Sequence, residues 1–259
     1  MYTDTHCHLE LIQGESPDVV AARARSAGVT TVVTVGVDLA SSAECVRTAA
    51  GLDGVWATVG IHPNNAIEAT DHVLRRLAVL ARHPKVVGIG ESGLDWFREG
   101  APRVRQEESF REHIRLAKDL DKTLVIHNRD AHDEVIAVLT DERPPERVVF
   151  HCFSGDAAMA ELCAERGWYV SFAGNVTFRN APELREAAAA ASIDLLVAET
   201  DSPYLSPHPY RGKPNEPARV VLTVAALAEL HGLAPEEMAA RTTENAQRLF
   251  ALPASRPLK

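Results

Sequence analysis

The sequence predicts an α/β fold, a single-domain (β/α)8 or TIM barrel over residues 1–259, with a metal site at the C-terminal face of its strands. Three observations support this prediction. The chain has 259 residues, close to the roughly 250 that are typical of such barrels. Eight short apolar runs alternate with segments of helical pattern, which indicates parallel strands joined by helices. Metal-binding residue types also recur where these runs end. An open doubly wound sheet, the alternative fold, does not easily gather residues from five different strands.

The predicted strands are runs of β-branched and other apolar residues. The second run, Val29–Val35, is the plainest example because every residue in it is valine or threonine. The full set is Tyr2–His8, Val29–Val35, Val55–Ile61, Val86–Glu91, Leu124–His127, Val148–His151, Tyr169–Phe172 and Leu195–Asp201. The segment Gly93–Phe97 is predicted as a loop after the fourth strand.

Helices are predicted between the strands, and several carry start and stop signals. Ser16 and Pro17 begin the first helix as a capping residue and a proline at the first helical position, and Gly28 ends it. Asp156 caps the sixth helix, which ends at Gly167. The others are Ala40–Ala50, Ala66–Arg82, Arg103–Leu120, Ala131–Thr140, Pro182–Ala191, Ala218–His231 and Pro235–Phe250. A proline-rich loop, Ser202–Pro217, precedes the last two.

Composition predicts a soluble protein. Hydrophobic residues make up 46% of the chain, enough for a large core, and no apolar run approaches the ~18 residues of a membrane span. The first strand begins almost at Met1, without a basic and then apolar leader, so we expect a cytoplasmic protein with no membrane partner. The net charge of −9 argues against a broad basic surface that coats nucleic acid, although bound dications can reverse the potential within a pocket.

Without CxxC spacing the four cysteines are expected to be thiols, with Cys7 and Cys152 turned toward the covering helices.

Two histidines end the first predicted strand and face the same way. Residues two apart on a strand share one side of the sheet, so His6 and His8 form a chelating pair, with Asp4 below them. Other residues that bind metals stand at the ends of further strands, namely Glu91, His127, His151 and Asp201. Because the chemistry of a barrel lies where its strands end, we expect these six ligands to form one cluster.

The six predicted ligands favour a centre of two divalent ions. Histidine nitrogens and carboxylate oxygens suit Zn, Mn, Ni or Mg, and the absence of cysteine ligands argues against a structural zinc site. Glu91, with two oxygens, is predicted to bridge the ions. One ion would take the first-strand histidine pair and Asp201, and the other would take His127 and His151. Such a pair, about 4 Å apart, polarises a hydroxide and stabilises both oxygens of an in-line displacement, which suits phosphodiester hydrolysis.

Five short motifs occur in order along the chain. They are Asp4–Leu9 (DTHCHL), Gly60–Pro63 (GIHP), Gly90–Asp95 (GESGLD), His151–Gly155 (HCFSG) and Glu199–Tyr204 (ETDSPY). Together they resemble the TatD family of metal-dependent deoxyribonucleases, and the similarity extends to Thr243–Phe250. The resemblance implies an amidohydrolase-type barrel, a dinuclear centre on the six ligands, and hydrolysis of DNA, often from the 3′ end of single strands. Departures from the family pattern at Ser92, Trp96–Phe97 and His132 leave the ligands intact and bear on substrate preference.

Asp201 and Glu91 are the predicted catalytic residues. Asp201 binds one ion and can also accept a proton from the bridging water as a general base. The family resemblance implies that His62 faces the pocket and contacts a phosphate oxygen; the alternative is a histidine that caps a proline-containing turn. Arg129 is a candidate for stabilising charge on the scissile phosphate through its planar fork, or else it forms a surface salt bridge.

Two buried carboxylates are predicted near the ligands. Glu199 shares a strand face with Asp201, and because a carboxylate inside a barrel is costly unless it is paired, we expect it to support a ligand or to bind substrate. Asp4 has the same interpretation, with a structural hydrogen-bond network as the alternative.

The loop after the eighth strand supplies further candidates for substrate binding. Arg211 and Lys213 are predicted to hold phosphates, and Tyr204, Phe153 or Trp96 is predicted to stack a base. The alternative is that this loop only braces the barrel. The remaining histidines lie on predicted helices or loops, and most are expected at the surface: His72, His83, His113, His132, His208 and His231. Among them, His132 is the candidate for the rim of the site.

The leading prediction is therefore a hydrolase of DNA, with RNA as a further substrate class and no obligate protein partner. A metal-bound hydroxide also attacks carbonyl carbon, so the alternative enzyme is an amidohydrolase or lactonase acting on a small carbonyl substrate. A carboxylated lysine as the bridge would favour that alternative, whereas Glu91 favours the nuclease. A binding module with a vestigial metal site is the third hypothesis.

Overall fold

The computed structural model describes residues 1–253, in which eight parallel strands form one sheet and neighbour one another in chain order. The strands are β1 Tyr2–Cys7, β2 Val29–Val35, β3 Val55–Val59, β4 Val86–Asp95, β5 Thr123–Arg129, β6 Val148–Phe150, β7 Tyr169–Phe172 and β8 Leu196–Ala198. The helices are α1 Pro17–Ser26, α2 Leu39–Gly51, α3 Asp71–Ala81, α4 Arg103–Asp119, α5 His132–Glu142, α6 Ala157–Glu165, α7 Pro182–Ala190, α8 Val220–His231 and α9 Pro235–Leu249. The predicted (β/α)8 fold is confirmed. Residues 254–259 of the predicted domain lie outside the described residues.

Hydrogen bonds between β1 and the chain that follows β8 join the two edges of the sheet. The backbone N–H of Asp201 donates to His6 O at 2.9 Å, and the N–H of His8 donates to Ser202 O at 2.8 Å. Cys7 and Ser202 form an isolated parallel bridge at the same place. This closure brings Asp201 next to the histidine pair of β1.

The apolar core has two parts. The larger part includes helix residues such as Phe110 and Ile114 of α4 together with strand residues such as Ile89 and Leu124. The smaller part consists of Val33, Val35, Val87, Val125, Val149, Tyr169 and Val197 with Ala246, Leu249 and Phe250 of the α9 segment. Because Leu249 O accepts a hydrogen bond from Thr123 at the start of β5, the end of α9 covers the N-terminal mouth of the barrel. The C-terminal mouth remains for the site, as in other barrels.

The structure corrects several predicted boundaries. Residues Gly93–Asp95 were predicted as part of a loop but belong to β4, which runs on to Asp95. Gly93 is needed there because its φ is +142° and a Cβ would lie 2.0 Å from His127 O, so glycine lets β4 stay close to β5. The predicted helix Ala66–Arg82 is two segments, a 3-10 helix over Pro63–Glu68 and then α3, whose start is capped by Thr70.

Within residues 1–253, no single helix is both long and apolar enough to cross a membrane. The segments Pro217–His231 and Pro235–Leu249 meet that requirement only when taken together, and they are bent by 108° where they meet.

Candidate metal centre

Glu91 lies at the centre of the C-terminal mouth, and one of its carboxylate oxygens faces the histidines of β1. Glu91 Oε2 is 3.5 Å from His6 Nε2 and 3.9 Å from His8 Nε2. Asp201 faces the same two rings, with Oδ1 at 3.9 Å from His6 Nε2 and 3.6 Å from His8 Nε2. Ligand atoms of His6, His8 and Asp201 all lie within 4.8 Å of one another. These three residues and Glu91 Oε2 therefore form the first group of potential ligands.

The other carboxylate oxygen of Glu91 faces a different pair of histidines. Glu91 Oε1 is 2.7 Å from His127 Nδ1 and 2.8 Å from His151 Nε2. These three residues also have ligand atoms within 4.8 Å of one another. The two oxygens of one carboxylate thus point to two separate groups, which is the arrangement that a bridging ligand requires.

A glycine places Glu91 correctly. Gly90 has a φ of +135°, which L side chains rarely adopt, and a Cβ on it would lie 2.3 Å from Val125 O. The chain can therefore bring Glu91 between β3 and β5 only with glycine at this position.

Two ligand histidines are oriented by acceptors on their second nitrogen. His8 Nδ1 lies 2.9 Å from Val35 O at the end of β2, and His151 Nδ1 lies 3.3 Å from Glu199 Oε1. In each ring the Nδ1–H donates a hydrogen bond to a backbone carbonyl or to a carboxylate. The lone pair of the neutral ring is therefore on Nε2. In both residues Nε2 is the atom that faces Glu91.

His127 and His6 complete the set in different ways. His127 has Nε2 at 3.1 Å from Asp95 Oδ2, so Nδ1 is the nitrogen on the Glu91 side. His6 is fully buried and stacks on His151 with ring centroids 3.8 Å apart. Within residues 1–253, neither ring nitrogen of His6 makes a hydrogen bond. Leaving a buried polar atom unpaired is costly, and coordination of a cation would satisfy His6 Nε2. The donor set therefore fits a divalent metal of the Zn, Mn, Ni or Mg class.

The surrounding charges keep the carboxylates ionised. Burial alone would raise the pKa of Glu91, but the charge of His151 and hydrogen bonds from His127 and His151 hold that pKa well below its ordinary value. Burial also opposes ionisation of Asp201, yet the neighbouring imidazoles of His8, at 3.6 Å, and His6 lower its pKa. Both groups are therefore in the charged form that binds a cation.

Glu199 and Asp4 lie behind the ligands. Glu199 is fully buried, and its Oε1 accepts hydrogen bonds from Cys152 N at 2.8 Å and from His151. It does not line the cavity described below, so its position favours the predicted supporting role over substrate binding. Asp4 accepts from Thr200 N at 2.8 Å and from Thr200 Oγ1 at 2.6 Å, which is the alternative structural network. Through these bonds Asp4 fixes the backbone that precedes Asp201.

A cavity of about 650 Å³ opens above the two groups. Of the residues predicted to bind substrate, His62, Arg129 and Tyr204 line it. Arg211 lies elsewhere: its Nη1 donates to Asn180 Oδ1 at 3.1 Å, and its guanidinium covers the Phe178 ring at 4.3 Å. A larger surface groove of about 780 Å³ between α3 and α4 contains none of the predicted ligands.

The aromatic residues at the mouth differ from those predicted. Phe153 is only 2% exposed and packs on Phe172, and Trp96 packs against the core with Arg103 on its ring. Neither the Phe153 ring nor the Trp96 ring therefore has a free face on which a base could stack. Phe97 is 61% exposed and carries the guanidinium of Arg129 at 3.8 Å from its ring centroid, and Tyr204 is 54% exposed. Phe97 was therefore missed, although it adjoins the predicted Trp96 in the sequence.

Three further expectations fail or change. Cys152 was expected to face the helices, but it follows the end of β6 in a turn with φ of +42° and lines the cavity. His113, one of the histidines of which most were expected at the surface, is fully buried. His132 bonds to Asn128 Nδ2 at 2.8 Å and does not line the cavity. Asp95 lies 3.1 Å from His127, a neighbour of the site that the loop prediction missed. Alternation along β4 puts residues 91, 93 and 95 on one face, which would have revealed it.

Comparison with known proteins identifies relatives along nearly the whole chain. The family model for TatD related DNase matches residues 3–251. A protein of Mycobacterium tuberculosis named uncharacterized metal-dependent hydrolase TatD is 46% identical over 258 residues, covering 96% of this chain and 97% of that protein. The 3'-5' ssDNA/RNA exonuclease TatD of Klebsiella pneumoniae is 36% identical, covering 91% and 92%. The crystal structure of YjjV, a TatD homologue from Escherichia coli K12, superposes with a TM-score of 0.91 at 30% identity and covers 97% of this chain and 98% of that one.

Proposed function

Because the chain belongs to the TatD family of metal-dependent hydrolases, we propose that it hydrolyses phosphodiester bonds of DNA, acting from the 3′ end of single strands. The relatives include a protein named as an exonuclease on single-stranded DNA and RNA, which supports nucleic acid as the substrate class. RNA is the second substrate to be tested.

The division of the Glu91 oxygens between two histidine groups is the observation that carries this proposal. We assign one divalent ion to His6, His8, Asp201 and Glu91 Oε2, and a second to His127, His151 and Glu91 Oε1. When bound, such a pair activates a water molecule and neutralises charge that develops on a phosphodiester in the transition state. A bridging carboxylate from β4 also keeps the two groups at a fixed separation, since β4 is hydrogen bonded on both sides.

Asp201 is the proposed general base. Its carboxylate lies at the edge of the first group, lines the cavity and has a lowered pKa. It can therefore accept the proton of the attacking water once the substrate is in place. Glu91 contributes as the bridging ligand rather than as a proton acceptor, because both of its oxygens face histidines.

His62 is the proposed donor to a phosphate oxygen. Its Nδ1 accepts a hydrogen bond from Asn64 N at 3.1 Å, so the neutral ring carries its hydrogen on Nε2. Burial lowers the pKa of His62 to about 4, and the ring is neutral near neutral pH. Its Nε2 faces the cavity 3.5 Å from Glu91 Oε1. We assign it a hydrogen bond to a non-bridging oxygen of the scissile phosphate.

Arg129, Phe97 and Tyr204 are proposed to hold the nucleotides that flank the scissile bond. Arg129 lines the cavity and supplies a planar cation for phosphate, while Phe97 beneath it exposes part of its ring. Tyr204 lies next to His8, with ring centroids 6.3 Å apart. Exposed aromatic rings stack unpaired bases, whose faces are covered in a duplex, so these residues favour a single-stranded end. The cavity volume is also in the range of pockets for small molecules.

The test uses purified protein, quantified metals and end-labelled substrates. Single-stranded DNA, duplex DNA and RNA labelled at either end are incubated with Mg, Mn or Zn, with and without chelator, beside a panel of esters and lactones. We expect stepwise shortening of single-stranded DNA from the 3′ end that chelator abolishes. Glu91→Ala should be inactive, whereas Glu165→Ala, the same substitution at an exposed site on α6, should be fully active. Clear lactone turnover with no cleavage of any nucleic acid would refute the proposal.

A further inference from the structure

His127, like His151, is a proposed ligand that lies between two carboxylates. Its Nδ1 is 2.7 Å from Glu91 Oε1, and its Nε2 is 3.1 Å from Asp95 Oδ2. A neutral imidazole has a single lone pair, so only one of these nitrogens can coordinate an ion while the other keeps its hydrogen. The nitrogen that keeps its hydrogen donates to the carboxylate beside it. The other nitrogen is then the one that coordinates metal in the second group.

We propose that Asp95 is a positioning residue that holds the hydrogen of His127 on Nε2 and thereby makes Nδ1 the coordinating nitrogen. The inference rests on the proposed metal centre. Metal-binding histidines commonly donate their second N–H to a carboxylate. This outer acceptor fixes the orientation of the ring and raises the basicity of the coordinating nitrogen. Here the ligand comes from β5 and its acceptor from the last residue of β4, where the two strands pair in register.

The surroundings of Asp95 hold its carboxylate in place. Oδ1 accepts hydrogen bonds from the backbone N–H groups of Phe97 and Arg98, each at 3.0 Å. Gln106 of α4 bonds to both the N–H and the carbonyl of Asp95, at 2.8 and 3.1 Å. The residue is 1% exposed. Oδ1 is therefore committed to the backbone of the loop that carries Phe97, and Oδ2 faces His127 at 3.1 Å, with a longer contact of 3.5 Å from Asn64 Nδ2.

A third ion held by His62, Asp95 and His127 is the competing interpretation, since their ligand atoms lie within 4.8 Å of one another. The hydrogen bond from Asn64 N to His62 Nδ1 opposes it. That bond uses the lone pair of the neutral ring, and Nε2 of His62 then carries a hydrogen and cannot coordinate. Only two ligands would remain for such an ion, fewer than a divalent site ordinarily has.

Two carboxylate-to-amide substitutions separate this role from a loss of charge. In Asp95→Asn the amide oxygen is needed by the two backbone donors, so the amide NH2 turns to His127 Nε2. That donor forces the hydrogen onto Nδ1, where it blocks coordination; an asparagine in a catalytic triad imposes the wrong tautomer in the same way. In Glu199→Gln a single oxygen can still accept from both Cys152 N and His151, because Glu199 Oε1 alone accepts both bonds. The tautomer of His151 is therefore retained.

The experiment measures zinc affinity and stoichiometry of the wild type and both variants by calorimetry and elemental analysis. We expect two ions in the wild type. Asp95→Asn should lose roughly 100-fold in affinity for one ion and keep the other, and Glu199→Gln should lose about 10-fold or less, against the 10- to 100-fold typical of outer partners. Histidine-selective 15N NMR of the zinc-loaded wild type should show the His127 hydrogen on Nε2.

Each result has a definite meaning. Two tightly bound ions in Asp95→Asn, or a His127 hydrogen on Nδ1 in the wild type, would overturn the inference. A third ion in the wild type that Asp95→Asn removes would show that Asp95 is a ligand instead. If Asp95→Asn fails to fold, the NMR measurement on the wild type still decides. Absence of any tight zinc binding would refute the proposed centre itself, which is a different outcome from two ions with an unaffected Asp95→Asn.

Discussion

His113 predicts a measurable pH dependence of stability that is separate from the metal centre. The residue is fully buried on α4. Its Nδ1 donates to Ser109 O at 2.7 Å, and its Nε2 accepts a hydrogen bond from Ile61 N at 3.0 Å. Ile61 directly precedes His62. The His113 ring therefore anchors the segment after β3 that carries His62, the proposed hydrogen-bond donor to a phosphate oxygen. Burial lowers the pKa of His113 from 6.5 to about 4.

The sign and size of the effect follow from that pKa shift. In the unfolded chain His113 takes up a proton near pH 6.5, whereas in the folded protein it does so only near pH 4. Between these values the unfolded state binds more protons, so the contribution is fully present above pH 6.5 and is lost as pH falls toward 4. Each pH unit corresponds to about 1.4 kcal/mol, and the fall from 6.5 to about pH 5 therefore costs about 2 kcal/mol of unfolding free energy.

The assay compares urea unfolding of the wild type and His113→Gln at about pH 8 and about pH 5, both with chelator. Glutamine does not titrate, so the wild type should lose about 2 kcal/mol more than the variant between these conditions. The histidines of the metal centre titrate equally in both proteins and cancel in the difference. His72→Gln, at an exposed histidine of α3, should behave as the wild type. Equal pH dependence in wild type and His113→Gln would refute the assignment of His113 as a buried neutral histidine.

Three further predictions concern the site. Glu91→Ala should lose both ions together while His151→Ala chiefly weakens one, and elemental analysis after dialysis checks this; equal loss of a single ion in both variants would count against the bridge. Although burial opposes it, contacts with Asp95 and Glu91 raise the pKa of His127, and those with Glu91 and Glu199 raise the pKa of His151 well above its ordinary value. Metal binding must displace these protons. Calorimetry in buffers of different ionisation enthalpy should therefore show proton release near neutral pH and a metal affinity that increases with pH. A metal affinity that does not depend on pH would contradict this prediction. Phe97→Ala should raise KM for single-stranded DNA by about 5- to 150-fold with little change in kcat, since stacking is worth roughly 1–3 kcal/mol per base. Phe97→Tyr should keep the KM of the wild type, and an unchanged KM in Phe97→Ala would exclude stacking.

Much of the fold was predictable because a parallel barrel repeats one local pattern eight times. Runs such as Val29–Val35 have few alternatives to a strand, and their ends coincide with the C-terminal mouth. Alternation along the first strand was enough to put His6 and His8 on the same side. Those two rules bring the six proposed ligands together without any information on distance.

The remaining features depend on contacts between segments that are distant in sequence. Gly93 has the usual signature of a loop, yet here it allows β4 to run close to β5, and only the neighbouring strand shows that. For the same reason Asp95 was hidden in a predicted loop. The exposure of the Trp96 ring depends on Arg103, which covers it, and Cys152 lines the cavity because β6 ends two residues earlier.

The ligands and their outer acceptors are arranged by the same barrel geometry. Val35 ends β2 and Asp95 ends β4, so the mouth of the barrel supplies hydrogen-bond acceptors to ligands of the neighbouring strands. His6 is the exception: its orientation comes from stacking on His151 at 3.8 Å with the planes 10° apart. The first group of ligands therefore depends on the second for the position of one ring. The second group has its own acceptors, Asp95 and Glu199, and does not depend on His6 in return. From this asymmetry it follows that the second group should retain its geometry when the first is disrupted, and that the reverse should not hold.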